Sequence, residues 1–291
     1  MSNRQIRLII PTVILRLGSE LMAKIEIFAS KKDMDFQPLS PFGVAAQGSN
    51  ISDLTDRDID TLKSTLAHNG FVVFRQQSAS DRDFVDFLAR LGALTFTIGE
   101  TPVADQPELN IVTSIGRVRP PRSVFHTDTS YVAQPPAFTA LRAVIVPTPD
   151  GGTFCFSDQY RAYETLPITV RERLAAAQVL HVVSGLTLAA EVESQCWHPL
   201  FKTHPISGRV AIFLSTPDRC QAIAGIEAET AQRIVKLLYQ HSIRHRRVYV
   251  HQWQLGDILV WDNRCTMHRA ERVQTVGDRL LHRGLVLDAV A

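Results

Sequence analysis

In the stretch "SVFHTDTSYVAQPP", His126 and Asp128 stand two residues apart. The surrounding residues read as a strand, and in a strand i and i+2 point to the same face. An imidazole nitrogen and a carboxylate oxygen side by side make half of a metal site. The same pair serves equally well as an ordinary surface His–Asp contact, and chance nearly supplies one such spacing in a chain of this length and composition. A third ligand is therefore the feature to seek.

The best candidate is His268, just beyond the apolar run "DILVW" and its polar turn. Two histidines and one carboxylate on one face of an iron leave three positions open for a cosubstrate and oxygen. Further on, Arg279 and Arg283 in "DRLLHRGLVLD" are four apart and share a strand face with Leu281, Leu285 and Leu287. Arginines on an apolar face need anionic partners, because an unpaired buried charge is costly. A dicarboxylate would supply such a partner through charge-assisted hydrogen bonds. Surface salt bridges near the C-terminus are the competing explanation.

These residues need elements to hold them. A helix is expected over "SDLTDRDIDTLKSTLAHNG", capped by Ser52 or Thr55 and stopped by Gly70, and a second over "SDRDFVDFLARLG", capped by Ser80. "FVVFR", "LNIVTSI", "AFTALRAVIVP", "TPDGGTFCFSD", "VAIFL", "GDILVWDN" and "RLLHRGLVL" read as strands. "QYRAYETLPITVRERLAAA" reads as helical with a break at Pro167, and "EAETAQRIVKLLYQHSI" as a helix. Helices gather early and in two inserts, which suits an α+β domain with helices to one side of a sheet core. Neither GxGxxG nor GxxxxGK[ST] occurs, so a nucleotide cradle has no footing.

With 291 residues, 45% of them hydrophobic and 21% charged, the chain can form one sizeable core. Residues 1–33 read as an N-terminal extension and 34–291 as a single catalytic domain. The apolar run near the N-terminus is broken by Pro11 and is too short for a membrane span. A net charge of +2 gives no support to nucleic-acid binding. Four cysteines without CxxC spacing fit a reduced, cytoplasmic protein.

Taken together, the segments "HTDTSYVAQPP", "PTPDGGTFCFSD", "HPLFKTHPISGR", "GDILVWDNRCTMHRA" and "RLLHRG" resemble, in order, the iron(II)/2-oxoglutarate-dependent oxygenases of the TauD/TfdA family, over about residues 36–288. The resemblance implies a double-stranded β-helix, or jelly roll, with flanking helices. It implies Fe(II) held by His126, Asp128 and His268, with 2-oxoglutarate and O2 as cosubstrates. It places Thr153 and Arg279 on 2-oxoglutarate, and Arg283 near its C1 carboxylate and the substrate's anionic group. Decarboxylation to succinate and CO2 would be coupled to oxidation of a small substrate. Asp128 favours hydroxylation, because related halogenating enzymes lack that carboxylate. A dimer or tetramer is the family's implied assembly.

The substrate does not transfer. Taurine-specific members carry His and Tyr where this chain aligns Thr97 and Glu100, an Asn where it has Arg122, and an aromatic residue where it has Asp218. Taurine is therefore not the expected substrate, and Thr97, Glu100, Arg122, Thr129 and Asp218 become the candidate substrate contacts. Solvated loop acids are the plainer reading of Glu100 and Asp218, and Arg117, Arg119 and Arg122 read equally as a solvated basic loop or as residues that steer an anionic substrate. His198 and His204 fit a structural segment, His282 faces away from the arginines, and His241 and His245 read as a solvated basic face. Cys265 reads as a packed thiol. A zinc hydrolase on the same three ligands and a catalytically silent jelly roll are the alternatives. The hydrolase leaves Thr153, Arg279 and Arg283 unexplained.

Overall fold

The computed structural model describes residues 34–115, 124–147, 152–185, 188–270 and 277–288. The early strands are β1 Asp35–Pro38, β2 Val44–Gln47, β3 Phe71–Phe74, β4 Leu94–Thr95, β5 Pro102–Val103, β6 Gln106–Thr113, β7 Phe138–Ile145 and β8 Thr153–Asp158. The later ones are β9 Gln178–Val182, β10 Gln195–Pro199, β11 Phe201–Thr203, β12 Val210–Ile212, β13 Cys220–Ile223, β14 Val248–Gln252, β15 Ile258–Asp262, β16 Thr266–Ala270 and β17 Leu280–Val286. The helices are α1 Asp56–Asn69, α2 Asp81–Leu91, α3 Gln159–Glu164, α4 Ile168–Arg173 and α5 Ala228–Ser242.

The large sheet runs β1-β2-β3-β15-β7-β17-β6-β5, with β4 added beside β17. The small sheet runs β14-β8-β16. Alternation sorts the side chains of the large sheet onto two cores. Phe71, Val73, Leu141, Leu259, Trp261 and Leu281 face Phe154 and Phe156 of the small sheet and Trp253 just after β14. Val72, Phe74, Ala140, Ile258 and Val260 face Leu62, Leu66, Phe84, Phe87 and Leu88 of α1 and α2. "FVVF" and "ILVW" are apolar throughout because both of their faces are covered. Each such buried side chain contributes about 1.5–3 kcal/mol. Two sheets enclosing one interior, with helices outside, is the jelly roll expected above. A third core joins α3, α4 and α5 to β9, β12 and β13.

Local chemistry sets the helices. Thr55 and Ser80 each close a capping box, with Asp58 and Asp83 respectively. The first cap is thus Thr55, while Ser52 lies in a preceding 3-10 turn. Pro167 separates α3 from α4. Helix α2 is fastened to the sheet at its first residue. Asp81 Oδ1 accepts from Arg142 Nη2 and from His282 Nδ1, both at 2.6 Å. His282 therefore faces the helices, opposite its neighbour Arg283 in β17. Gly284, also on that outer face, admits no Cβ, which would lie 2.1 Å from Leu88 Cδ1. This close approach of α2 fixes β17 and the side chains that it carries inward.

One expectation about the surface changes. His245 is exposed, but His241 is half-buried with Nε2 2.9 Å from Ala162 O. Arg247 is buried and donates to His241 O and Thr165 Oγ1. The segment is thus partly a cap on the end of α5, where a cation meets unsatisfied carbonyls, rather than a solvated basic face. Cys265 is packed against Tyr160 and Ala211, and burial pushes its thiol well above the usual range.

Candidate active site

Residues around His126 do not form a strand. His126 makes one isolated antiparallel bridge to His268, with N–H to O distances of 3.0 Å in both directions. The chain then turns through Asp128–Ser130, and Thr129 has φ +44°. A β-branched residue rarely adopts that conformation, so it marks a turn held against local preference. The turn, not strand alternation, carries Asp128 back toward the histidines.

His126 Nε2 and His268 Nε2 each lie 3.5 Å from Asp128 Oδ1. One ligand atom from each of the three residues falls within 4.8 Å of the others. Each donor is oriented from behind. His126 Nδ1 donates to Val124 O at 3.0 Å, which leaves Nε2 with its lone pair facing the site. Asp128 Oδ2 accepts from Thr139 Oγ1 at 2.9 Å. Thr139 in turn accepts from Asn263 Nδ2 at 2.7 Å, and Asn263 Oδ1 accepts from Trp261 Nε1 at 3.0 Å. His268 is wedged between Trp261, 4.6 Å away, and Phe154, which stacks on it at 5.5 Å and 17°.

The electrostatics suit ligation. Burial lowers His268 to about 4, so it is neutral near pH 7. Burial would raise Asp128, but His268, His126 and Arg283 beside it hold the carboxyl well below the usual range. The group is therefore one carboxylate and a neutral imidazole, with His126 beside them, all pointing at a common point.

Arg279 is 4% exposed, and burial lowers its pKa. Its Nε has no partner, and its guanidinium has no carboxylate among the described residues. Arg283, two steps along the same inward face, has Nη2 3.4 Å from Glu100 Oε1. That separation lacks hydrogen-bond geometry, and both Nε and Nη2 remain unpaired among the described residues. Beyond Arg283, Leu285 opens onto a cavity of about 150 Å³, lined also by Thr97, Ile98, Thr129, Tyr131 and Val192.

Comparison with known proteins decides the family. The sequence model described as "Taurine catabolism dioxygenase TauD, TfdA family" matches residues 35–285. The chain belongs to the TauD/TfdA family. The alpha-ketoglutarate-dependent 2,4-dichlorophenoxyacetate dioxygenase of Cupriavidus pinatubonensis is 26% identical over 281 residues, covering 86% of this chain and 96% of that protein. Pentalenolactone F synthase of Streptomyces arenae is 26% identical, covering 84% and 91%. The structure of AAD-2 in complex with Mn(II) and N-oxalylglycine superposes with a TM-score of 0.78, covering 88% of this chain and 98% of that one. At 24% identity that likeness speaks for the fold. This member of the TauD/TfdA family is a 2-oxoglutarate-dependent dioxygenase.

The residues present fit the family's metal and cosubstrate. A neutral imidazole, an ionised carboxylate and a second imidazole form the donor set of a non-haem iron site. Arg279, buried and without a carboxylate partner among the described residues, suits a carboxylate that comes from outside the chain. Two expected contacts fall elsewhere. Thr153 pairs with the exposed Gln252 across the small sheet, on the face opposite Phe154 and Phe156. The inward position beside His268 belongs to Phe154, because Thr153 is one residue out of phase with the interior. Asp218 is exposed in the turn before β13 and is not among the cavity's lining residues. Thr97 and Thr129 do line the cavity, and Glu100 meets Arg283. Arg122, with Arg117 and Arg119, lies outside the described residues.

Sequence reasoning missed Thr139, Asn263 and Trp261, which brace Asp128. Asn263 directly follows β15, and a polar side chain just past the end of such an apolar strand was the available signal. It also missed Asn110, the one amide in the apolar alternation of "LNIV".

Proposed function

We propose that the enzyme couples oxidative decarboxylation of 2-oxoglutarate to hydroxylation of a small substrate bearing an acidic group, and that the substrate is not taurine. The observation that supports this reading best is the half-filled donor set. Two imidazoles and one carboxylate converge from one side, and the only buried arginine on the adjoining inward face without a carboxylate partner among the described residues is Arg279. His126, Asp128 and His268 would hold Fe(II), which when bound supplies oxygen activation. Arg279 would pair with the far carboxylate of 2-oxoglutarate and so orient its keto-acid end toward the histidines. Arg283 lies between that position and the cavity, where an acidic group of the substrate would meet it. As a carboxylate ligand Asp128 would leave no room for a halide, which favours hydroxylation. Trp261, Phe154 and Phe156 keep water from the buried side of the ligands.

The alternatives make different products. Metal analysis of the purified protein, followed by O2 uptake and succinate release with Fe(II) and 2-oxoglutarate, tests the reading. Iron binding with 2-oxoglutarate-dependent O2 uptake is expected. A protein that retains zinc and consumes no 2-oxoglutarate when loaded with Fe(II) would support the hydrolase, and one that binds neither would support a silent binding protein.

A further inference from the structure

Strand β6 carries one side chain with no structural occupation. Leu109 and Ile111 pack toward the helices and Val112 packs into the interior, so Asn110 faces inward between the two. It is 0% exposed, and neither Nδ2 nor Oδ1 has a hydrogen-bond partner among the described residues. Directly across the strand pair stands Arg283, whose Nε and Nη2 are also unpaired, and Glu100 Oε1 lies 3.4 Å from Nη2. Leaving a buried amide unsatisfied costs about 1–3 kcal/mol, and leucine would fill the same volume without that cost. Native interiors keep few such groups. A carboxamide, a guanidinium and a carboxylate in one place, each with spare capacity, together match a ligand rather than one another.

We propose that Asn110 is a specificity-determining residue. With Arg283 and Glu100 it forms a subsite for a substrate head group that carries a carboxylate and, beside it, an N–H or O–H donor. Arg283 and Asn110 Nδ2 donate to the carboxylate. Glu100 and Asn110 Oδ1 accept from the neighbouring donor. The tail of the substrate lies toward Leu285, Ile98 and Val192, in the apolar part of the cavity. A plain acid would satisfy Arg283 and leave Asn110 Oδ1 buried without a partner and Glu100, at the rim, with nothing to accept from. A site built to hydrogen-bond a group discriminates strongly against the analogue that lacks it. The inference rests on the reading of the protein as an oxygenase.

Four probes that share one phenyl tail separate the head groups: phenylacetate, phenyllactate, phenylalanine and phenethylamine. Each is given to the enzyme loaded with Fe(II) and 2-oxoglutarate, and stimulated succinate release is measured in wild type and in Asn110→Leu. Wild type is expected to favour phenyllactate or phenylalanine over phenylacetate by about 10-fold or more in kcat/KM, and to ignore phenethylamine. Asn110→Leu is expected to bring that ratio close to one, and Asn110→Asp to reject all three acids. The unfolding midpoint of metal-free Asn110→Leu should equal or exceed that of wild type, since no internal hydrogen bond is lost. A ratio that survives in Asn110→Leu overturns the proposal. So does a variant that fails to fold, which would show an internal partner for the amide. Absence of any stimulation by the four probes overturns the head-group assignment, whereas absence of even unstimulated 2-oxoglutarate consumption in wild type sinks the oxygenase reading itself.

Discussion

Two buried aspartates, each beside a histidine, have opposite surroundings. Asp262 is wholly saturated. It accepts from His204 Nε2 at 2.9 Å, from the Arg264 guanidinium at 2.6–3.2 Å and from the Arg264 backbone N–H at 2.8 Å. Arg264 is itself held by Asp288. Among the described residues Asp128 has one hydrogen-bond donor, Thr139, and it turns its other oxygen toward two imidazoles at 3.5 Å. Both carboxyls are held below the usual range against burial: Asp262 chiefly by Arg264 with His204, Asp128 by His268, His126 and Arg283. The contrast separates scaffold from chemistry. A buried carboxylate with every lone pair used fixes the chain, and one left half-used is available to a ligand.

Removing each carboxylate tests that division most severely. Asp262→Ala should destabilise the metal-free protein by about 3–5 kcal/mol in denaturant unfolding, because Arg264 and His204 lose their buried partner. Asp128→Ala should change metal-free stability by only about 1 kcal/mol or less, while it abolishes iron retention and substrate-dependent succinate formation. Equal losses of stability in the two variants would erase the distinction. Arg279 extends the comparison to cations. Arg264 is saturated and Arg279 is not, so Arg279→Ala should weaken 2-oxoglutarate binding about 10- to 150-fold with the fold intact; an unchanged affinity, read by titration, would remove it from the cosubstrate site. The smallest effect is expected from Thr139→Val, which takes away the single donor on Asp128. Iron affinity should fall about 10-fold, toward the lower end of what outer-shell partners contribute, and unaltered affinity would mean that the turn alone aims Asp128.

How much of this was legible in the sequence follows from the range of the forces involved. The capping boxes at Thr55 and Ser80, the break at Pro167 and the doubly buried "FVVF" and "ILVW" are local signals, and the chain follows them. The three ligands were legible because the segments that carry them match the family in order. The geometry that unites them was not, since it depends on a turn at Thr129 and a bridge to a distant strand. The placement of Thr153 failed for a related reason. A one-residue phase error reverses a strand's faces, and nothing within "GGTFCF" states which face is inward until β14 and β16 pair with it. Asn110 and its neighbours Arg283 and Glu100 come from three separate segments. Only the assembled sheet brings the first two opposite each other.

The bridge between His126 and His268 has a consequence for assembly. Two backbone hydrogen bonds already tie the segment that bears His126 and Asp128 to a strand far along the chain. A metal ion bound by all three side chains would rivet the same junction a second time. Whatever binds the native arrangement and not the unfolded chain shifts the folding balance in proportion to its concentration, and the entropy of closing so long a loop is met once for both fastenings. The supply of iron would then govern not only how fast the enzyme turns over but how long its barrel stays shut.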